Sequence, residues 1–279
     1  MAKKRMNRLT KRILYEIAIM VALVVLLVVM IRNTWASYDL PEPTEPESPA
    51  ASTPAPSDAS DAPAGMENFL SANNLTKADY PAWLLRELDM EAENAQFILS
   101  YPLRYGVVHQ VDMTGTETGK VPMLIQWDDR WGYNDYAGEI LGISGAGPTC
   151  MSMVAFYLTG DMNATPAFFA AYAANNGYAL ERGGTDPSLF TEGAVQYGLK
   201  VTEVPNVKGA VEQYLKAGIP VVVQVGKGAF TETGSYIVLY GLDGENILLR
   251  DPASIKNSEK SHTWASVAEC GIAYWAIQK

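Results

Sequence analysis

The sequence is poor in the side chains that bind metals and carry out acid–base chemistry near neutral pH. Its 279 residues include two cysteines and two histidines, too few for a tetrahedral zinc site or a disulfide-rich scaffold. Basic residues are also scarce, with 21 Lys and Arg against 31 Asp and Glu, and they cluster only in the first dozen residues. Nucleic-acid binding is therefore not expected.

Cofactor motifs are lacking as well. Residues 115–120 resemble a P-loop, but the spacing is one residue short and Val121 replaces the required Ser or Thr. The acidic residues Asp128, Asp129, Asp135 and Glu139 lack the spacing of an EF-hand loop, so a solvated acidic face is favoured over a calcium site. We expect no cofactor and no metal.

One long hydrophobic run lies near the N-terminus. Residues 13–31 contain a single charged residue, Glu16, and follow a basic tail, residues 1–12, with six cations. Nineteen residues are about enough to cross a bilayer, and a positive flank stays in the cytoplasm. We therefore expect a single-pass anchor in the lipid bilayer, with the C-terminal part extracellular. A cleaved signal peptide is the alternative, but residues 34–36 form a poor cleavage site.

Residues 32–65 are predicted to be a linker. From Leu40 to Gly65 there are seven prolines, and no apolar residue after Leu40 is larger than Ala, so the segment cannot bury enough surface to fold. Proline makes such a spacer semi-rigid. Residues 1–37 contain seven Lys and Arg and one Glu, so they carry +6 of the total charge of −10 and leave −16 for the rest. That excess favours cationic partners.

Two regions follow the linker. Residues 66–118 are predicted to be a mostly helical lead-in, in which Tyr101-Pro102 stops the helix that runs to Leu99. Residues 119–279 are predicted to be one compact domain. Hydrophobic spacing predicts helices near 147–159, 165–175, 187–197 and 207–217, and then strands at 220–225, 235–241, 246–251 and 272–277. Helices followed by strands, without β–α–β alternation, predict an α+β fold with an antiparallel sheet.

Four segments of this domain combine tight-turn glycines with polar residues: 122–132, 145–153, 228–239 and 250–254. In this order and spacing they resemble the motifs of the peptidase C-39-like family, cysteine peptidases of papain-like fold. The resemblance covers residues 121–277 and extends weakly into the lead-in. It implies a cleft between the helices and the sheet in which an extended peptide lies.

The resemblance also implies four site positions. Gln126 matches the oxyanion-hole glutamine, and Asp251 matches the carboxylate that orients the catalytic histidine. The nucleophile position holds Ala146 and the general-base position holds Ser235. A methyl group cannot attack a carbonyl, and serine does not titrate near pH 7. The hypothesis is a pseudopeptidase that binds a peptide or protein at the cell surface. A structural scaffold and an active cysteine peptidase with a non-standard nucleophile and base are the alternatives.

Cys150 is the candidate substitute nucleophile, with His262 as its base. It lies one helical turn after Ala146, about 6 Å along the axis, which displaces it from the oxyanion site. A buried structural role for Cys150 is therefore favoured. A disulfide between Cys150 and Cys270 is permitted by the cysteine count but not favoured.

Aromatic residues within or beside the motif segments are candidates for peptide contacts. Their rings and polar tips suit a binding cleft, although about half of such residues are expected to be buried without a ligand role. The candidates are Trp127, Trp131, Tyr136 and Tyr236.

Overall fold

The computed structural model describes residues 64–107 and 111–279. The predicted basic tail, the anchor at 13–31 and all but the end of the predicted linker lie outside these residues. Within the two described ranges, no helix has both the length and the apolar character needed to cross a bilayer.

Short helices form the lead-in, and a mixed set of elements follows it. The helices are α1 (Ala64–Asn73), α2 (Ala82–Arg86), α3 (Ala95–Leu99), α4 (Tyr101–Arg104), α5 (Leu141–Ser144), α6 (Ala146–Thr159), α7 (Pro166–Asn175), α8 (Glu192–Gln196), α9 (Lys208–Lys216), α10 (Ile255–Ser258) and α11 (Trp264–Cys270). The strands are β1 (Asp135–Tyr136), β2 (Glu139–Ile140), β3 (Ala179–Leu180), β4 (Gly184–Thr185), β5 (Lys200–Glu203), β6 (Val221–Val225), β7 (Ser235–Asp243), β8 (Asn246–Arg250), β9 (Ser261–His262) and β10 (Gly271–Gln278).

Six of the strands form one antiparallel sheet in the order β5-β10-β6-β7-β8-β9. Side chains alternate between its two faces. Val222 and Val238 pack on the side of α6, whereas Val223 and Ile237 join the cluster on the side of α9 and α11. The predicted combination of helices and an antiparallel sheet is confirmed.

The central helix α6 is the element that positions the site. Residues 147–156 are all buried, and a helix that is buried all round is typical of the centre of a domain. It ends at Gly160, whose φ of 69° is the left-handed conformation that glycine commonly supplies at a helix C-terminus. Ala146 is its first residue and half-exposed.

The helix α3 ends at Leu99, just before Tyr101-Pro102, as predicted. A further short helix, α4, then begins with Pro102 in its first turn, because proline fits a first turn, where its missing N–H has no partner to lose. The helical spacing of Trp83, Leu84, Leu85 and Leu88 predicts a helix over residues 81–90, but α2 ends at Arg86.

Phe97 joins the lead-in to the rest of the domain. Its ring stacks on Tyr133 with 4.2 Å between ring centroids, and the Tyr133 hydroxyl donates to the Phe97 carbonyl at 2.9 Å. The ring lies so close to Gly132 and Gly142 that a Cβ atom on either glycine would overlap it. The lead-in therefore packs directly beneath the segment that leads into α6.

Candidate functional site

A groove of about 640 Å³ lies between the first turn of α6 and the sheet. On the helix side it is lined by Ser144, Ala146 and Gly147, and on the sheet side by Gln224, Ser235 and Tyr236. Ser235 is the first residue of β7 and pairs with Val225 of β6. The structure thus brings Ala146 and Ser235, which match the nucleophile and base positions, to the same groove.

The first turn of α6 is held in place by close packing on β4. A Cβ atom at Gly147 would overlap the side chain of Thr185, so the close approach requires a glycine. Thr185 in turn accepts a hydrogen bond at its carbonyl from the Tyr236 hydroxyl, at 2.7 Å. This packing places the half-buried Ala146 at the groove wall.

Gln126 also lines the groove, but its amide donors point elsewhere. The side chain is 5% exposed, and its Nε2 donates to the carbonyls of Gly142 at 3.1 Å and Ile143 at 2.9 Å. Both amide hydrogens are therefore used within the protein, and the buried Oε1 has no hydrogen-bond partner among the described residues. The expected oxyanion donor is in position without a hydrogen free for the groove.

Asp251 lies below the groove surface and is 1% exposed. Its Oδ2 accepts from Asn257 Nδ2 at 2.8 Å, and its Oδ1 accepts from the backbone N–H of Ala253 at 2.9 Å. Burial raises the pKa of this carboxyl to about 6, a rise that the nearby Glu93 charge supports and the hydrogen bonds oppose. The carboxylate is thus bonded to an asparagine amide and a backbone N–H, and both partners lie on the loop that follows it.

His262 does not reach the groove. It is buried in β9, and its Nε2 lies 2.8 Å from the Asn257 carbonyl oxygen. Its ring packs against Phe230, with 5.2 Å between the ring centroids. His262 is thus bonded to the backbone of Asn257, whose side-chain amide is bonded to Asp251.

Both cysteines are buried free thiols. Cys150 is 0% exposed and does not line the groove. Burial raises its pKa well above the ordinary thiol value, and the nearby charge of Asp251 acts in the same direction. A neutral, enclosed thiol is a poor nucleophile. The disulfide with Cys270, which the sequence permitted without favouring, does not form.

The predicted aromatic contacts divide between groove and core. Tyr236 lines the groove, although it is largely buried. Trp131 is 1% exposed with its Nε1 bonded to the Ile125 carbonyl, and Tyr136 is buried with its hydroxyl 2.7 Å from Thr185 Oγ1. Trp127 donates to the Ala253 carbonyl at 3.1 Å and does not line the groove. Trp131 and Tyr136 are therefore core residues, whose polar atoms find backbone or hydroxyl partners in the interior, and Trp127 is half-buried outside the groove.

Sequence reasoning missed part of the groove wall. Arg182, Thr185 and Glu139 line it and come from the short hairpins β1–β2 and β3–β4. The turn dipeptides Ala137-Gly138 and Gly183-Gly184 were the available signal, since glycine pairs and single turn glycines favour tight hairpins.

An antiparallel sheet that faces the first turn of a buried central helix across a groove defines a cysteine-peptidase type of fold. The chain belongs to the Peptidase_C39 like family, whose model matches residues 118–279. The resemblance stated from the motifs is confirmed.

Two solved structures are similar to the chain. One is the peptidase domain of Streptococcus ComA, a bi-functional ABC transporter involved in a quorum-sensing pathway. It is 16% identical, with 48% of this chain and 91% of that one covered and a TM-score of 0.39. The other is a putative C39-like peptidase from Bacillus anthracis, 16% identical, with 58% and 96% covered and a TM-score of 0.37. No curated protein matches the chain significantly.

Proposed function

We propose that this chain is a catalytically inactive C39-like domain, anchored in the membrane and facing the cell exterior, that binds a peptide or protein in its groove. The observation that carries the proposal is the pair Ala146 and Ser235, which line the groove where the family places its thiol and imidazole. Neither side chain ionises near pH 7, and a peptidase of this type needs a thiolate and a proton acceptor.

The surrounding residues support a site that has lost its catalytic activity and kept its groove. The Gln126 amide hydrogens are bound to carbonyls, and the Asp251 carboxylate is bound to Asn257. Cys150, the substitute nucleophile, is enclosed. The groove itself keeps a volume within the range of ligand sites.

The anchored and extracellular part of the proposal depends on the sequence. Residues 13–31 are long enough to cross a bilayer, and the basic residues before them favour a cytoplasmic N-terminus. Expressed full-length protein should stay with membranes after a high-salt wash, and a variant without residues 1–37 should not. External protease should digest the domain in intact spheroplasts. A domain protected in spheroplasts and digested only after lysis would contradict the topology.

Hydrolysis of a peptide library by the full-length protein tests the catalytic part. The natural protein should be silent, and its affinity for library peptides should be measured in parallel. Ala146→Cys with Ser235→His restores both family residues, and each single substitution is the matched control. If the natural protein instead hydrolyses peptides and loses that activity on Cys150→Ala or His262→Ala, the proposal is overturned. This outcome would identify Cys150 and His262 as nucleophile and base.

The pKa of the restored thiol gives a readout that does not depend on finding a substrate. In the double variant, a histidine beside the thiol should lower its pKa to about 7 or below, whereas Ala146→Cys alone should titrate higher. The pH dependence of iodoacetamide alkylation measures both. Identical profiles would mean that positions 146 and 235 are not paired across the groove. Absence of peptide binding by any variant would favour a structural scaffold.

A further inference from the structure

A second cavity, of about 250 Å³, lies beside the groove, and we call it the aromatic pocket. Three aromatic side chains and two carboxylates line it, together with Gly138 and Ile140: these are Trp83, Tyr101, Tyr105, Asp135 and Glu139. No Lys or Arg is among its lining residues. The resemblance to the family assigned no role to this pocket, and its aromatic residues come from the lead-in.

The aromatic side of the pocket is fixed in place. Tyr101 and Tyr105 stack with 4.7 Å between their ring centroids, and the Tyr105 hydroxyl donates to Asp135 Oδ1 at 2.8 Å. That hydrogen bond to a carboxylate is the main reason that the pKa of Tyr105 rises to about 12, so the phenol stays neutral. Tyr105 is nonetheless 43% exposed, which leaves part of its surface open to a ligand.

The acidic side of the pocket is presented by a tight hairpin. Ala137 and Gly138 have φ values of 55° and 77°, as in the two-residue turns that favour positive φ. The Ala137 carbonyl accepts from the Arg182 N–H at 2.7 Å, which ties the turn to the neighbouring β3–β4 hairpin. Both Asp135 on β1 and Glu139 on β2 line the pocket. Because Asp135 pairs with Ile140 and Glu139 with Tyr136, the two carboxylates lie on opposite faces of the hairpin. Neither is part of an ion pair within the described residues.

Glu139 joins the two cavities, since it lines both the groove and the aromatic pocket. Its Oε2 accepts a hydrogen bond from Ser144 Oγ, two residues before Ala146. A chain held in the groove at Ala146 could therefore place a side chain past Glu139 into the aromatic pocket.

We propose that the aromatic pocket binds the cationic side chain of a Lys or Arg residue belonging to the peptide that occupies the groove. Aromatic faces attract a cation, the unpaired carboxylates add charge complementarity, and Ile140 with the rings accommodates the aliphatic stem. The net charge of −16 beyond residue 37 supports a cationic partner. The inference rests on the proposed peptide-binding function, and its test separates the two.

Calorimetric titration of the full-length protein tests the proposal with two sets of probes. The protein is kept in a non-ionic detergent, so that no detergent headgroup is cationic. The first set is N-acetyl-lysine amide and N-acetyl-arginine amide, with N-acetyl-norleucine amide as the neutral match. The second set is library peptides in which Lys or Arg is replaced by norleucine or citrulline. The natural protein should prefer the cationic member of each pair roughly tenfold.

Three variants identify the groups responsible. Asp135→Asn removes one charge with little change of shape, and Tyr105→Leu removes one exposed ring, and each should reduce the preference to about threefold or less. Tyr105→Phe keeps the ring and should retain most of it. Phe168→Leu, a substitution of an exposed aromatic residue outside both cavities, should have no effect.

The outcomes separate the pocket from the groove. Peptides that bind without any preference for Lys or Arg would overturn the aromatic pocket and leave the proposed function standing. Preference among the amide probes, lost in Asp135→Asn, with no peptide binding at all would support the pocket and contradict the proposed function. A preference that Asp135→Asn and Tyr105→Leu both leave unchanged would overturn the pocket.

Discussion

The groove surface and the layer beneath it differ in their chemistry. At the surface, Ala146 and Ser235, which we propose as the counterparts of nucleophile and base, present a methyl group and a hydroxyl to the groove. Beneath the surface lie a thiol, Cys150, and a carboxyl, Asp251, both almost fully buried. The reactive groups are thus present in this region of the fold but not where a substrate could reach them.

The difference separates two requirements that an active peptidase meets together. Packing requires the small residues at Gly142 and Gly147, since a Cβ atom at either would overlap Phe97 or Thr185. Catalysis requires ionisable groups at the groove surface. In this chain the packing requirement is met, whereas Ala146 and Ser235, the groove residues that we propose as the counterparts of nucleophile and base, do not ionise near pH 7.

Thiol accessibility tests the contrast most directly and should give the largest effect. In the natural protein Cys150 is closed off and should react only when the structure opens, at least about 1,000-fold more slowly than an exposed thiol. Ala146→Cys places a thiol on the groove wall and should add one fast-reacting equivalent. Titration with a coloured disulfide reagent, native and denatured, measures both.

The same titration can contradict the contrast. A fast thiol in the natural protein that Cys150→Ala removes would place Cys150 at the groove surface. If the Ala146→Cys thiol reacts as slowly as the native thiols, residue 146 is not accessible from the groove.

The packing beneath the groove should show the next largest effect. Phe97→Ala removes a buried ring that lies against Gly132, Gly142 and Tyr133, and such truncations cost about 3–5 kcal/mol. Urea unfolding of the full-length protein measures the loss. Phe168→Ala, at an exposed ring on α7, is the control and should cost less than half as much. Equal losses would mean that the lead-in packs no more tightly than the surface.

The buried charge of Asp251 should make stability depend on pH. Burial raises the folded pKa from 3.8 to about 6, so the folded state binds the proton more tightly than the unfolded chain. Stability is therefore favoured below about pH 4 and falls as pH rises towards 6, where the penalty reaches about 3 kcal/mol. Asp251→Asn should remove this slope, so the stability of the variant relative to the natural protein should rise between pH 4 and pH 7.

Asp186 provides a control of opposite sign. Hydrogen bonds from Ser188 lower the pKa of the Asp186 carboxyl, so its contribution is present above the unfolded pKa and is lost as pH falls. Asp186→Asn should accordingly cost stability at pH 7 and little at low pH. If the free energies of unfolding of Asp251→Asn and of the natural protein change equally between pH 4 and 7, the prediction of a destabilising buried charge is contradicted.

Much of the fold follows from hydrophobic periodicity. The spacing of Met151, Val154, Ala155 and Leu158 predicted α6, and β-branched runs predicted β6, β7, β8 and β10. The edge strand β5 was missed because Lys200–Glu203 is mostly exposed and carries little alternating pattern. The hairpins β1–β2 and β3–β4 are two residues per strand, too short for any period to show.

The candidate site was predictable in position and not in detail. Motif order brought Gln126, Ala146 and Ser235 to one groove, as expected. Spacing could not reveal that the Gln126 amide bonds to the carbonyls of Gly142 and Ile143. Both carbonyls belong to α5, and their direction depends on the orientation of that helix in the folded chain. Nor could it separate the groove residue Tyr236 from the core residue Trp131, since both are aromatic residues in motif segments.

The smallest effect concerns Glu93, which links the lead-in to the loop below the groove. Its carboxylate accepts from Ser254 Oγ and, at 3.1 Å, from the Lys256 N–H, on the loop that also supplies Asn257 to Asp251. Glu93→Gln keeps one acceptor oxygen and replaces the other with a donor, so it should cost about 1 kcal/mol. It should also lower the pKa of Asp251 slightly, because the Glu93 charge helps to raise it.

Urea unfolding between pH 4 and 7 measures both effects of Glu93→Gln, and Glu91→Gln is the matched control at an exposed neighbouring glutamate. A charge that acts on the buried layer should shift the pH dependence as well as the stability, whereas a surface contact alone should change only the stability. If the two variants show the same stability and the same pH dependence, the Glu93 charge does not act on Asp251. The contrast between groove surface and buried layer would then not extend to the lead-in.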